Sequence, residues 1–267
     1  MLRFSANISF LFSELPFMER FAAARDAGFG AVEFHFPYQF DRNVLAEAVL
    51  TSELEVILFN LPAGTPAEWA KGGRGIACDP ERVAEFKTGV ETAIAYASAL
   101  GCSKLNCLAG VPPAGVSIAT ADATLIGNLQ FAAAQAGKSG IELLLEPLNT
   151  VDNPGFLIST SARALAIMDA VGSENLRLQY DVYHAQVMEG NLVKTLQTKL
   201  SRIGHIQIAD NPGRHEPGTG EINFPFLFSA LDQIAYRGWI GCEYIPSKSS
   251  GESLSWLKTW LKPALSG

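Results

Sequence analysis

Eight short apolar or β-branched runs, each followed by a stretch of helical periodicity, leave this 267-residue chain few folds to choose from. The runs fall at 4–9, 31–36, 56–60, 104–109, 142–146, 176–181, 205–209 and 240–245. Helical periodicity covers 16–27, 43–53, 80–100, 120–138, 161–171, 191–201, 224–236 and 254–261. Asp79 followed by Pro80 has the chemistry of a helix start, and Gly101 that of a helix stop. Gly28, Gly101, Gly140, Gly172, Gly204 and Gly238 all stand just ahead of a predicted strand, where a helix must end. A strict strand–helix alternation with no Pro/Gly-rich linker predicts one (β/α)8 TIM barrel, an α/β fold with residues 1–267 in a single domain. The competing doubly wound sheet calls for a Gly-rich phosphate turn after the first strand, and the sequence there is Asn7-Ile-Ser-Phe-Leu-Phe12.

Charge and composition narrow the function classes. Lys and Arg total 20 against 27 Asp and Glu, a net charge of −7, so phosphate-backbone binding to nucleic acid is disfavoured. Hydrophobic residues make up 48% and charged residues 18%, which supports a large core and excludes disorder. No apolar run approaches the ~20 residues of a membrane span, and residues 1–18 show no signal-peptide pattern. Cys78, Cys102, Cys107 and Cys242 have neither metal-site nor disulfide-framework spacing and are expected to be reduced, mostly buried thiols of a cytoplasmic protein.

In a barrel, chemistry gathers at the C-terminal ends of the strands, where alternate side chains point inward. Strand five finishes on Glu146 and strand six on Asp181; strand seven carries Gln207 near its end, and strand eight carries Glu243. Three carboxylates converging on one mouth repel each other and raise one another's pKa unless a cation neutralises them. With four oxygen donors the implied cation is Mg²⁺ or Mn²⁺ rather than Zn²⁺. His184, three residues after Asp181, is expected to bond a substrate oxygen or to help the metal. In the Gly-rich loop 210–221, Arg214 is expected to grip a substrate carboxylate, with Glu216 beside it and the glycines giving backbone access to a ligand. Asn7, Glu33, His35 and Asn106 are expected along the pocket, and His205 as a satisfied core histidine. The long connection after strand three, with Trp69 and Arg74, is expected to form a lid.

Several stretches carry a family resemblance: Phe4-Ser-Ala-Asn-Ile-Ser9, Gly28-Phe-Gly-Ala-Val-Glu-Phe34, Phe59-Asn-Leu-Pro-Ala-Gly64 and Arg74-Gly-Ile-Ala-Cys78. Further on come Leu145-Glu-Pro-Leu-Asn149, Gln179-Tyr-Asp-Val-Tyr-His184, and His205-Ile-Gln-Ile-Ala-Asp210 through Gly213–Asn223. Together they make the chain resemble the hydroxypyruvate isomerase family, within the xylose-isomerase-like barrels. The resemblance implies Glu146 and Glu243 as the proton-transferring pair and Glu146, Asp181, Gln207 and Glu243 as the metal shell. Related ketose 3-epimerases typically place a histidine where this sequence has Gln207, which favours the hydroxypyruvate-type branch. The implied partner is a small oxo-acid, isomerised between hydroxypyruvate and tartronate semialdehyde. The same branch includes 2-oxo-tetronate isomerases, and the motifs do not separate the two. Rival readings are a ketose 3-epimerase or inosose dehydratase, a multi-zinc DNA-repair nuclease, which four histidines and an acidic chain disfavour, and a metal- or sugar-acid-binding module without turnover. For Trp256 and Trp260 on the last helix, a contact between subunits of a homo-oligomer and packing on the barrel are both open.

Overall fold

A computed structural model describes residues 2–70 and 74–260. Eight parallel strands close into a barrel in sequence order, β1 to β8, with β8 returning to β1. They are β1 Arg3–Asn7, β2 Ala31–Phe34, β3 Glu55–Asn60, β4 Lys104–Cys107, β5 Glu142–Leu145, β6 Leu176–Asp181, β7 Ile203–Ile208 and β8 Trp239–Cys242. The principal helices are α1 Arg20–Asp26, α2 Arg42–Ser52, α3 Pro66–Ala70, α4 Val83–Leu100, α5 Ile118–Lys138, α6 Ser161–Val171, α7 Val182–Met188, α8 Leu192–Lys199, α9 Phe224–Gln233 and α10 Ser250–Ser253. The barrel predicted from alternation is therefore the fold. Among the described residues, no helix is long and apolar enough to cross a membrane.

The local chemistry explains the element ends. α5 buries Ala121, Leu125, Leu129, Ala132 and Ala136, one stripe at helical spacing, and the Ser117 side chain caps its start by accepting from the Thr120 N–H. Asp79 caps a single 3-10 turn, Pro80–Arg82, before α4 begins, and Gly101 ends α4 in the left-handed region at φ 65°. Two short helices escaped the periodicity, α3 and α7, because one turn or two is too little for a pattern to show. The expected helix at 254–261 is instead α10 followed by a 3-10 segment, Ser255–Thr259; Leu261 lies outside the described residues. Trp256 and Trp260 turn to the barrel and pack their rings against Phe228.

Two glycines do a different job from the one expected. Gly204 lies inside β7, not ahead of it, and a Cβ there would come within 2.5 Å of Leu144 Cδ2. Gly238 has no left-handed φ; its missing Cβ leaves space for the Tyr236 hydroxyl. Inside the barrel, Ala31, Leu58 and Leu144 form a small apolar plug with Trp239 packed against it. Beyond the plug the interior is polar. Glu33, 1% exposed, accepts hydrogen bonds from Ser5, Asn7, His205 and Gln207, so one β2 carboxylate ties together β1, β2 and β7. His205 is thus a satisfied core histidine.

Gly241 of β8 gives this carboxylate its space, since a Cβ there would stand 2.3 Å from Glu33 Oε1. Gly241→Ala should therefore destabilise the protein by ~1–3 kcal/mol through overpacking. Gly127→Ala, at an exposed and open position inside α5, should stabilise by up to ~1 kcal/mol. Denaturant melts of both variants check the contrast, and equal effects would contradict it.

Candidate active site

At the C-terminal mouth of the barrel lies a cavity of about 550 Å³. Glu146, His184, Gln207, Arg214 and Glu243 line it, as do Asn7 and Arg74. Glu146 and Glu243 each stand one residue past the end of their strand, and Asp181 is the last residue of β6. All three are almost fully buried, at 4%, 5% and 2% exposed. Strand order alone brings them together.

Glu146, Asp181 and His184 place donor atoms within 4.8 Å of one another, a group able to hold a metal ion. Asp181 Oδ1 is occupied as the cap of α7, accepting from the Tyr183 N–H at 2.8 Å, while Oδ2 is buried without a hydrogen-bond partner. An orphaned carboxylate oxygen beside a second carboxylate suits a hard cation, so the donors fit the expected group. Asn106 donates to Glu146 Oε2 at 2.7 Å and to Asn60 Oδ1 at 3.0 Å, fixing the Glu146 rotamer from the β4 side.

The other expected ligands have different surroundings. Glu243 Oε1 receives His35 Nε2 at 2.9 Å and Arg214 Nη2 at 3.1 Å. Gln207 gives its amide N–H to Glu33 Oε1 at 2.7 Å and takes one from Gln179 at 2.6 Å. A carboxylate only accepts, so Glu33 dictates which end of the Gln207 amide faces it. Gln179 was not singled out in the sequence; its place two residues before Asp181, on the same inward face, is the signal that points to it.

His184 is 3% exposed, and its Nδ1 faces the Asn149 backbone N–H at 3.2 Å and the Asn149 side-chain amide at 2.7 Å. A backbone N–H can only donate, so Nδ1 is the acceptor and the neutral ring carries its proton on Nε2. That Nε2–H points toward Asp181 Oδ2, 3.6 Å away. Binding a metal through Nε2 would demand a proton on Nδ1, opposite the Asn149 donors. In this tautomer His184 presents a donor rather than a lone pair to the mouth, so a cation held by the group would draw its oxygen ligands from Glu146 and Asp181. Burial, and then Arg214, hold the ring well below its usual pKa, which keeps it neutral.

Burial pushes Glu146 well above the usual carboxylate range, with Glu243 and Asp181 adding to the rise. Asp181 is driven up to about 7 by burial, against the pull of Arg214 and with a further push from Glu243. Burial also raises Glu243, but the His35 hydrogen bond and the Arg214 charge outweigh it and leave this carboxyl below its ordinary value. Two glutamates facing one cavity are thus driven apart in proton affinity.

Arg214 is central to that balance. It occupies the left-handed region at φ 56°, after Gly213 at φ 95°, and its guanidinium lies over Phe10 and Tyr183 at 5.1 and 5.3 Å. Its Nη2 is shared between Glu243 and Asp181, the latter at 3.5 Å, while its Nε is buried without a hydrogen-bond partner. The surrounding loop is organised by Asp210, fully buried, which accepts from the N–H groups of Asn211, Gly218, Gly220 and Ile222. Gly220 lets the loop close on itself, since a Cβ there would lie 2.2 Å from the Asn211 carbonyl oxygen; it does not open the backbone to a ligand. Glu216, expected to contact substrate, does not line the cavity; it bonds the Ser247 backbone N–H and hydroxyl and clasps the β7 and β8 loops together. Asn7 lines the cavity but gives its amide to Glu33. In the connection after β3, Trp69 and Arg74 do line the cavity; Lys71, Gly72 and Gly73 of the expected lid lie outside the described residues.

The chain has recognisable relatives. The model of the xylose isomerase-like TIM barrel family matches residues 21–260. Hydroxypyruvate isomerase of Escherichia coli K12 is 50% identical, with 96% of this chain and 98% of that protein covered. A 2-oxo-tetronate isomerase of Cupriavidus necator is 42% identical over 98% of this chain and 99% of its own length. A crystal structure described as an AP endonuclease of family 2 from Brucella melitensis superposes with a TM-score of 0.93 at 42% identity, covering 98% of this chain and 100% of that one. The four histidines of the present chain are dispersed: His35 on Glu243, His184 on Asn149, His205 on Glu33 and His215 on the Ile245 carbonyl. They do not form the multi-histidine zinc cluster that the nuclease reading requires. By sequence and by barrel, this chain belongs to the hydroxypyruvate isomerase family of the xylose isomerase-like TIM barrels.

Proposed function

We propose that the protein is a hydroxypyruvate isomerase, interconverting hydroxypyruvate and tartronate semialdehyde with the help of a divalent cation, Mg²⁺ or Mn²⁺. The observation that carries this reading is the pair Glu146 and Glu243, buried on one cavity from β5 and β8 and made unequal in proton affinity by their surroundings. Near-full-length identity of 50% to a hydroxypyruvate isomerase supports it.

The reaction moves one proton between adjacent carbons and another between their oxygens. Glu146 and Glu243 flank the substrate and pass the carbon-bound proton, one carboxylate taking it and the other returning it. His35 and Arg214 keep Glu243 ionised, ready to accept. His184, neutral and with its proton on Nε2, donates to a substrate oxygen. A divalent cation, when bound, would supply Lewis-acid polarisation of the substrate's carbonyl. Glu146 and Asp181 would hold it, with Gln207 and Glu243 in the set that the family resemblance implies. Buried free thiols accord with a reducing, cytoplasmic setting. A second reading, the four-carbon 2-oxo-tetronate as substrate, draws on the 42% identity to such an isomerase.

Glu146→Gln and Glu243→Gln should each lower turnover by ~10²–10⁴-fold while far-UV and near-UV circular dichroism stay unchanged. Near-normal turnover in both variants would remove the proton-transfer assignment. Exhaustive chelation should abolish activity and Mg²⁺ or Mn²⁺ should restore it; full activity after chelation would exclude the cation. The ratio of kcat/KM for hydroxypyruvate to that for 2-oxo-tetronate decides between the two substrates.

A further inference from the structure

Every substrate that the isomerase reading names carries a carboxylate, and the acids of the mouth are not spread evenly around it. Glu146, Asp181 and Glu243 stand at the ends of β5, β6 and β8, so one half of the closed barrel holds all three. Strands β1 to β4 face them across the opening. On that side Glu33 is saturated with donors, Asn7 gives its amide to Glu33, and His35 gives Nε2 to Glu243. Asn60, the last residue of β3, is placed differently.

A relay of amides decides which way Asn60 faces. Asn106 Nδ2 carries two hydrogens; one goes to Glu146 Oε2 at 2.7 Å and the other to Asn60 Oδ1 at 3.0 Å. An ionised Glu146 only accepts, so it dictates the direction of the Asn106 amide, as Glu33 does for Gln207. The reverse orientation would set Asn106 Oδ1 against two oxygens; instead that atom stays buried without a partner. With its own Oδ1 taken, Asn60 turns Nδ2 the other way. Asn60 lines the cavity at 7% exposure, and its Nδ2 has no hydrogen-bond partner among the described residues. The main chain there is pinned as well, since the Asn60 N–H donates to the His35 carbonyl at 2.9 Å and its carbonyl accepts from the Tyr38 hydroxyl at 2.6 Å. A donor held this firmly in a nearly buried side chain calls for an acceptor.

We infer that the Asn60 amide donates to the substrate's carboxylate and so seats the anionic end of the substrate against β3, away from the acids. A neutral N–H suits this position. It attracts an anion, yet it does not collapse onto Glu146, one side chain away, as a cation would. The inference rests on the isomerase reading for the identity of the substrate. In hydroxypyruvate the carboxylate is the end that takes no part in proton transfer, so holding it at β3 leaves the two reacting carbons for Glu146 and Glu243. Asn106 then orients both the proton-transferring Glu146 and the group that seats the substrate.

The test uses glycerate and glycerol, three-carbon probes that differ in the carboxylate, titrated calorimetrically into the protein supplied with Mg²⁺. Asn60→Ala should weaken glycerate on the order of 10-fold and glycerol by less than about 2-fold. Asn60→Asp keeps an oxygen for Asn106 and replaces only the nitrogen. A role confined to supporting Asn106 therefore predicts wild-type binding in this variant, whereas the inference predicts a glycerate loss on the order of 100-fold, larger than in Asn60→Ala. For hydroxypyruvate, Asn60→Ala should raise KM more than it lowers kcat. Equal weakening of both probes by Asn60→Ala, or wild-type glycerate binding in Asn60→Asp, would overturn the inference. Failure of the wild type to turn over hydroxypyruvate, with the contrast between the probes intact, would instead overturn the reaction and leave the carboxylate site standing.

Discussion

One buried carboxylate holds the interior of this barrel in order. Glu33 accepts hydrogen bonds from Ser5, Asn7, His205 and Gln207, and Gly241 clears the space it fills. A charge this deep is tolerable only because its acceptor capacity is met from neighbouring strands. In meeting it, β1 and β7 are drawn onto β2, and the Gln207 amide is turned to one orientation. These hydrogen bonds order the polar layer that lies beneath the mouth.

Above this layer the protein concentrates acid. Glu146, Asp181 and Glu243 are buried together, and a single guanidinium, stacked between Phe10 and Tyr183, is shared between the last two. Burial raises all three carboxyls, yet Glu243 alone ends below its ordinary value because His35 and Arg214 both favour its charged form. Asp181 Oδ2 keeps an unfilled hydrogen-bonding capacity. Such an arrangement is costly for folding and leaves Glu146 and Asp181 placed where they could hold a metal ion. Asn149 links this centre to the wall, setting His184 on one side and, through Asn153, Arg74 on the other.

Much of this was legible in the chain. Alternation of strand and helix gave the barrel, and the ends of the last four strands put Glu146, Asp181, Gln207 and Glu243 at one mouth. Inward alternation also marked Asn7, Glu33 and His35, all of which line the cavity, though not that Glu33 would gather Asn7, Ser5, His205 and Gln207 around it. The loop residues were harder. Glu216 reads as a site residue in a Gly-rich loop, but its partner, Ser247, comes from the next loop. Arg214 reads as a carboxylate clamp; its Nη2 meets the protein's own Asp181 and Glu243, which the sequence did not show, while its Nε keeps no partner.

The division has a physical basis. Periodicity, caps and strand ends are local properties, carried by the spacing of residues along the chain, so the sequence by itself determined the barrel, its closed order and the convergence of the acidic strand ends. Hydrogen-bond direction and charge sharing are not local. Which nitrogen of His184 holds a proton depends on a backbone N–H from 35 positions away in the chain. That Arg214 meets Asp181 and Glu243 depends on side chains brought alongside by strands far apart in sequence. Only the tertiary structure could decide those, because the partner of a charge is chosen in space.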